Sequence, residues 1–238
     1  MKKQWYWYVG FFAILFGVYF TYVFFQTDIS QSNLPVINNS LNNFSFTNQN
    51  GKKFTERDVE GKVYVAEYFF TTCKGICPKM NANMRRVYDA YKADSNFMIV
   101  SHTCMPEVDS VPLLKRYEAK MLNGKLNKNE DGLFRIDYDT LTGSKQVPTQ
   151  TNWAFVTGAK TDLYDMARHA YLIDNNKPDS SQNIADQFIH TQLFALMDKE
   201  TRLRGVYDGL KEDEMQKLLK DIKGLLALKH QSRALNGN

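Results

Sequence analysis

The chain has 238 residues, enough for one well-cored domain with extensions, and its 43% hydrophobic and 24% charged content is ordinary for a globular protein. The net charge of +4, which falls to +2 without Lys2 and Lys3, excludes the strongly basic balance of a nucleic-acid-binding protein. Three cysteines are too few for a disulfide scaffold, so the thiol chemistry is concentrated rather than structural.

Residues 1–4 precede an uncharged run of 21 residues, 5–25, reading WYWYVGFFAILFGVYFTYVFF. As a helix it reaches about 31 Å, enough to cross a bilayer core. A small-x-small cleavage site is missing after it, where Phe24-Phe25-Gln26-Thr27 stands, so an uncleaved transmembrane anchor is expected. Trp5, Tyr6, Trp7 and Tyr8 would form an interfacial belt. Lys2 and Lys3 precede the run and the next basic residue is Lys52, which keeps the N-terminus cytoplasmic. The rest of the chain is then expected on the periplasmic, extracytoplasmic side of the inner (cytoplasmic) membrane.

Residues 26–40, QTDISQSNLPVINNS, read as a flexible linker to a domain spanning 41–230, with 231–238 a tail. Phe44 to Phe46 and Lys52 to Thr55 flank Asn50-Gly51 as a short hairpin. Thr55 and Asp58 suit a capping box. Val63 to Phe70 is an apolar buried strand, and Pro78 to about Ala93 is helical, with Met80, Met84, Val87, Tyr88 and Tyr91 on one face. Phe97 to Val100 is a second buried strand, followed by a helix from about Ser110 to Met121. Residues 123–151 break this rhythm and read as an insertion with a small hairpin near Leu133 to Ile136. Trp153 to Thr157 is a strand, Thr161 to His169 a helix, Leu193 to Met197 and Arg204 to Tyr207 a hairpin, and Asp213 to His230 a closing helix. Such crossovers imply an α/β fold, a central sheet with helices on both faces.

Cys73 and Cys77 stand just beyond the first buried strand, with Pro78 directly behind. Reactive groups gather at that end of parallel strands, and a helix N-terminus there is expected to lower thiol pKa values. A structural disulfide gains most by closing a long loop, and this pair closes almost none. The pair can serve as a redox dithiol or as two ligands of a thiophilic metal such as copper, for which a histidine would be the third. His102 ends a strand next to the site and His190 precedes another after a polar loop, whereas His169 and His230 read as surface residues. Met80 and Met84 are expected in the core.

FFTTCKGICPKM (69–80), Trp153-Ala-Phe-Val-Thr-Gly158, IHTQLFALMDKETRLRGVYDG (189–209) and NFSFTNQNGKKFT (43–55) together resemble the Sco/SenC family. These are membrane-anchored, thioredoxin-like copper proteins of cytochrome c oxidase assembly. The likeness covers roughly 41–225 outside the insertion. It implies a thioredoxin-like fold with an N-terminal hairpin, and copper, Cu(I) or Cu(II), held by Cys73, Cys77 and His190. It also implies the oxidase copper-binding subunit as partner. One position departs from the family pattern: Met105 stands before Pro106 where an aspartate is usual, beside Cys104. Cys104 and Met105 read as buried apolar substitutes, with an auxiliary or resolving thiol at Cys104 as the sharper alternative. The leading function is a copper metallochaperone. The second is a thiol–disulfide reductase acting through Cys73 and Cys77 on the oxidase's own cysteines. A thioredoxin-like peroxidase is a weaker third.

Overall fold

The computed structural model describes residues 5–26, 34–39, 41–130, 132–138, 151–174 and 191–228. His190 and His230 lie outside these residues.

Seven strands make one mixed sheet in the order β2-β1-β7-β4-β3-β8-β9. Its parallel centre is β3 (Val63–Phe69), β4 (Phe97–Thr103) and β7 (Trp153–Thr157), joined by α3 (Cys77–Tyr91) and α4 (Val111–Asn123). The hairpin β1 (Ser45–Asn48) and β2 (Lys53–Thr55) adds antiparallel to β7, and β8 (Leu193–Met197) with β9 (Leu203–Asp208) adds antiparallel to β3. Every residue of β3 is buried, as expected for a central strand covered on both faces. The turn at Asn50-Gly51 forms as expected: Gly51 has φ of 71°, open to glycine without strain. Asp58 accepts the Thr55 backbone N–H at 2.7 Å, capping the short helix α2 (Glu56–Val59).

Strand alternation splits the core in two. Val63, Val65 and Phe69 face α3, α4 and the closing helix α6 (Glu212–Ala227), where Met80, Met84, Leu114 and Leu218 are buried. Tyr64, Ala66 and Tyr68 face the other way, onto α5 (Lys160–Asp165) and the π-helical turn Met166–Ala170 that continues it. Helices therefore cover both faces. The insertion does carry a hairpin, β5 (Lys125–Lys128) paired with β6 (Phe134–Asp137).

The apolar N-terminal run forms α1, Trp5–Gln26, exposed along its described side chains. Among the described residues, no helix is long and apolar enough to cross a membrane. The described side chains of α1 end at Thr21, and its first four residues are the amphipathic Trp5, Tyr6, Trp7 and Tyr8. Part of the expected linker is held against the domain. Ile37 N–H donates to Leu203 O and Leu203 N–H to Asn38 O, each at 2.8 Å, while Arg204 Nε–H reaches the Leu34 carbonyl at 3.1 Å.

Candidate functional site

At the carboxyl ends of β3 and β4, two cysteine-bearing segments leave the sheet side by side. The β3 segment runs Phe70-Thr71-Thr72-Cys73 and then turns into α3, whose first residue is Cys77. Pro78 fits the first turn because it has no N–H to satisfy. Cys73 is half-buried, Cys77 only 5% exposed, and both are free thiols.

The Cys77 thiol lies within hydrogen-bonding reach of the Cys73 sulfur. Burial pushes the Cys77 pKa well above the thiol range, and the Cys73 contact pushes it further; the Phe70 backbone N–H pulls weakly the other way. The expected lowering by the helix N-terminus is therefore overturned for Cys77. Desolvation outweighs the helix end because that sulfur is packed rather than presented to water.

A buried carboxylate holds the thiol loop in place. Asp109, with no exposed surface, accepts the Thr71 hydroxyl at 2.6 Å and the Thr103 hydroxyl at 2.5 Å. The Thr71 backbone N–H also points at both of its oxygens at 3.3 Å. One side chain thus ties the loop before Cys73 to the end of β4. Below the site sits Glu67, 1% exposed in the middle of β3. Ser101 donates to Glu67 Oε1 at 2.6 Å, and Trp153 Nε1–H donates to that hydroxyl at 2.8 Å. Glu67 Oε2 has no partner among the described residues, and burial pushes the carboxyl up to about 8.

Cys104 goes the other way. Its N–H and S–H both donate to the Phe69 carbonyl, at 2.9 and 3.3 Å, and only 2% of it is exposed. It packs in the tyrosine-lined half of the core, with Met105 partly buried against the same cluster. Burial first, then the Asp109 charge, pushes its pKa up to about 12. This is the arrangement of a buried apolar substitute.

The histidines separate. His102 has no exposed surface, stacks on Tyr68 at 5.0 Å between ring centroids, and is held neutral by burial, its pKa down to about 3. It faces the core and not the thiols. His169 is exposed and bonded to Asp165 at 2.7 Å. His190 is beyond the described residues, so the structure brings together Cys73 and Cys77 but does not test the third ligand. Among the described residues, no group of three or more His, Cys, Asp or Glu could hold a metal ion.

Two of these groups were missed in sequence. Glu67 carried a signal, a lone acid inside the apolar run VYVAEYFF. Asp109 carried none, because its partner Thr71 lies 38 residues away.

Beside the thiols, a cavity of about 410 Å³ opens between Lys74 to Lys79 and the β6 side of the inserted hairpin.

Comparison with known proteins agrees with this geometry. The SCO1/SenC family model matches residues 37–227. A Bacillus subtilis SCO1 protein homolog is 26% identical over 195 residues, covering 81% of this chain and 86% of its own length. The crystal structure of a SCO1/SenC family lipoprotein from Bacillus anthracis is 27% identical with a TM-score of 0.59, covering 80% of this chain and 97% of that one. The copper-bound structure of Bradyrhizobium japonicum ScoI shares the fold, at 18% identity and a TM-score of 0.52, over 77% of this chain and 98% of that one. A further structure of the same fold, BsSco, is described as a member of the Sco family of cytochrome c oxidase assembly proteins, at 24% identity and a TM-score of 0.59 over 83% and 100% of the two chains. Matched by its family model over most of its length, with two thiols meeting at the edge of a thioredoxin-like sheet, the chain belongs to the SCO1/SenC family.

Proposed function

We propose that this protein is a copper metallochaperone, binding one copper ion through Cys73, Cys77 and His190 for delivery to the copper-binding subunit of a cytochrome c oxidase. The observation that carries the reading is the contact between two unbridged thiols at the sheet edge. Soft sulfurs so placed suit copper, and loading would displace a proton from each thiol that carries one. Three ligands leave the ion open to a partner, whereas a structural zinc site closes with four.

Support for His190 is topological. β8 runs antiparallel to β3, with Ala195 opposite Ala66. Continuing that register sets Thr191 and Gln192 level with Phe70 and Phe69, so the chain enters β8 from the thiol edge. A full-length preparation titrated anaerobically with Cu(I), Cu(II) and zinc is expected to take one copper. His190→Ala is expected to weaken copper binding and block oxidase assembly. Tight zinc with weak copper, or full assembly by the His190 variant, would sink the reading.

The thiol contact also favours a second reading, a reductase that keeps the oxidase's copper-ligand cysteines reduced. It requires Cys73 and Cys77 and dispenses with His190. Oxidase assembly in the His190 variant therefore decides between them.

We propose also that α1 anchors the protein in the inner membrane with the thiols on the extracytoplasmic side. Support comes from its uncharged, aromatic-rich sequence and from Lys2 and Lys3 before it. Protease added outside spheroplasts should cut the domain, and alkaline carbonate should fail to extract the full chain. Release by carbonate would refute the anchor.

A further inference from the structure

The groove beside the thiols is lined on one side by the loop and first turn of α3, through Lys74 and Lys79, and on the other by β6, through Phe134 and Arg135, and by Tyr138 just after it. The side chains of Lys74, Lys79 and Arg135 make no ion pair or hydrogen bond among the described residues. The one acid in the lining, Asp137, is engaged by the Asn127 side chain at 2.5 Å. Lys160, outside the groove, is by contrast paired with Glu107 at 3.6 Å. The groove also has apolar lining: Met121, 1% exposed, Leu133, Ile136 and Phe134, whose ring carries the Arg86 guanidinium at 4.0 Å. Tyr138, 47% exposed, stands at its rim.

Unpaired cations beside apolar side chains complement a ligand with carboxylates and apolar side chains together. A nucleic acid would call for a longer cationic track, and among the described residues the groove lining offers Lys74, Lys79 and Arg135. Lys74 follows Cys73 and Pro78 follows Cys77, so the groove adjoins the segment that carries both thiols.

We propose that this groove docks an acidic segment, carrying apolar or aromatic residues, of the protein that exchanges copper or electrons with Cys73 and Cys77. Lys74, Lys79 and Arg135 recognise its carboxylates, and the inserted hairpin exists in part to build the second wall. The proposal rests on the proposed function only in naming that partner as the one exchanging at the thiols; the groove's preference for acidic peptide is independent of copper.

The test uses the reduced, metal-free full-length chain in non-ionic detergent. Its probes are two octapeptides with a central cysteine activated as a mixed disulfide with 5-thio-2-nitrobenzoate. One flanks the cysteine with Glu, Leu and Tyr; the other replaces each Glu by Lys. The Cys73 thiolate attacks the peptide sulfur, a Cys73–peptide disulfide forms, and 5-thio-2-nitrobenzoate leaves with the electron pair of the broken bond. Its absorbance gives the rate.

At low salt the Glu peptide should react about tenfold faster than the Lys peptide, and the two should converge as salt screens the charges. Lys79→Glu and Arg135→Glu, both removed from Cys73 in sequence, should each erase most of that preference; Arg135→Gln, a milder change, should erase part. Equal rates for the two peptides overturn the proposal. So does a preference that Lys74→Glu alone removes, which would be a local charge effect, or equal competition by a single-stranded DNA oligomer. Copper stoichiometry measured in parallel separates the two ideas. In the unsubstituted chain, equal rates for the two peptides with copper binding intact refute the groove alone, and a clear preference without copper binding refutes the chaperone alone.

Discussion

β3 and β4 are parallel neighbours that finish at the same edge, and each delivers threonine and then cysteine there, yet the sulfurs have opposite fates. After β3 the chain runs on for three residues before Cys73, so the thiol clears the sheet and meets Cys77 at the start of α3. After β4, Cys104 follows Thr103 immediately and stays in ladder geometry, both its donors on the Phe69 carbonyl. Alternation turns it to the tyrosine-lined half of the core, away from the face on which α3 packs. A cysteine's chemistry here is set by how far the backbone carries it past the last ladder bond.

The largest break in that contrast comes from the reactive pair. Cys73→Ser or Cys77→Ser should take copper stoichiometry from about one to zero under the proposed function, while Cys104→Ser should leave it unchanged. Retained copper in the Cys77 variant would make the two segments equivalent and end the comparison.

Next in size is the acid beneath the β3 segment. The Glu67 carboxyl titrates near 8 in the fold against 4.5 unfolded, so between those values the folded state holds the extra proton and stability falls as pH rises. His102, beside β3 on the other face, acts oppositely: its pKa drops from 6.5 to about 3, so the unfolded state holds the extra proton and stability rises with pH across that window. The two slopes offset between pH 4.5 and 6.5, leaving Glu67 alone from 6.5 to 8. Urea unfolding should show a loss approaching about 1.4 kcal/mol per pH unit in that last window. Glu67→Gln should flatten it, and an unchanged slope in the variant would place the titration elsewhere.

Asp109→Asn sharpens the contrast by loosening only one segment. It weakens the bonds to Thr71 and Thr103 and should cost about 2–3 kcal/mol, with faster alkylation of Cys73 than of Cys104. Equal acceleration at both cysteines would mean that the carboxylate merely packs. Smallest should be Cys104→Ser, about 1 kcal/mol, since a hydroxyl can still donate to the Phe69 carbonyl.

Local features were legible in the sequence. Asn50-Gly51 made its turn, Thr55 and Asp58 their cap, and the apolar run from Val63 its buried strand, because each depends on neighbours within a few residues. The α5 helix was legible only in part: its pattern continued to His169, but the last five residues, Met166–Ala170, widen into a π-turn. Hidden were features made by distant partners. Thr71 meets Asp109 across the sheet edge, and Glu67 finds Ser101, itself held by Trp153, only once three strands align. The thiol pKa was misread for the same reason, since burial of Cys77 is a property of the assembled core.

The bonds that tie the segment before β1 to the domain, from Arg204 to the Leu34 carbonyl and from Asn38 to the Ala170 carbonyl, bear on geometry at a larger scale. With Leu34 berthed against β9, seven residues, 27–33, separate α1 from the domain, a mooring line of at most about 28 Å. If α1 sits in a bilayer, the thiols sweep a shallow layer above it, within reach of a neighbour in the same membrane and out of reach of one across a wide compartment. Cutting the berth, by Arg204→Ala, would lengthen the line without touching a sulfur.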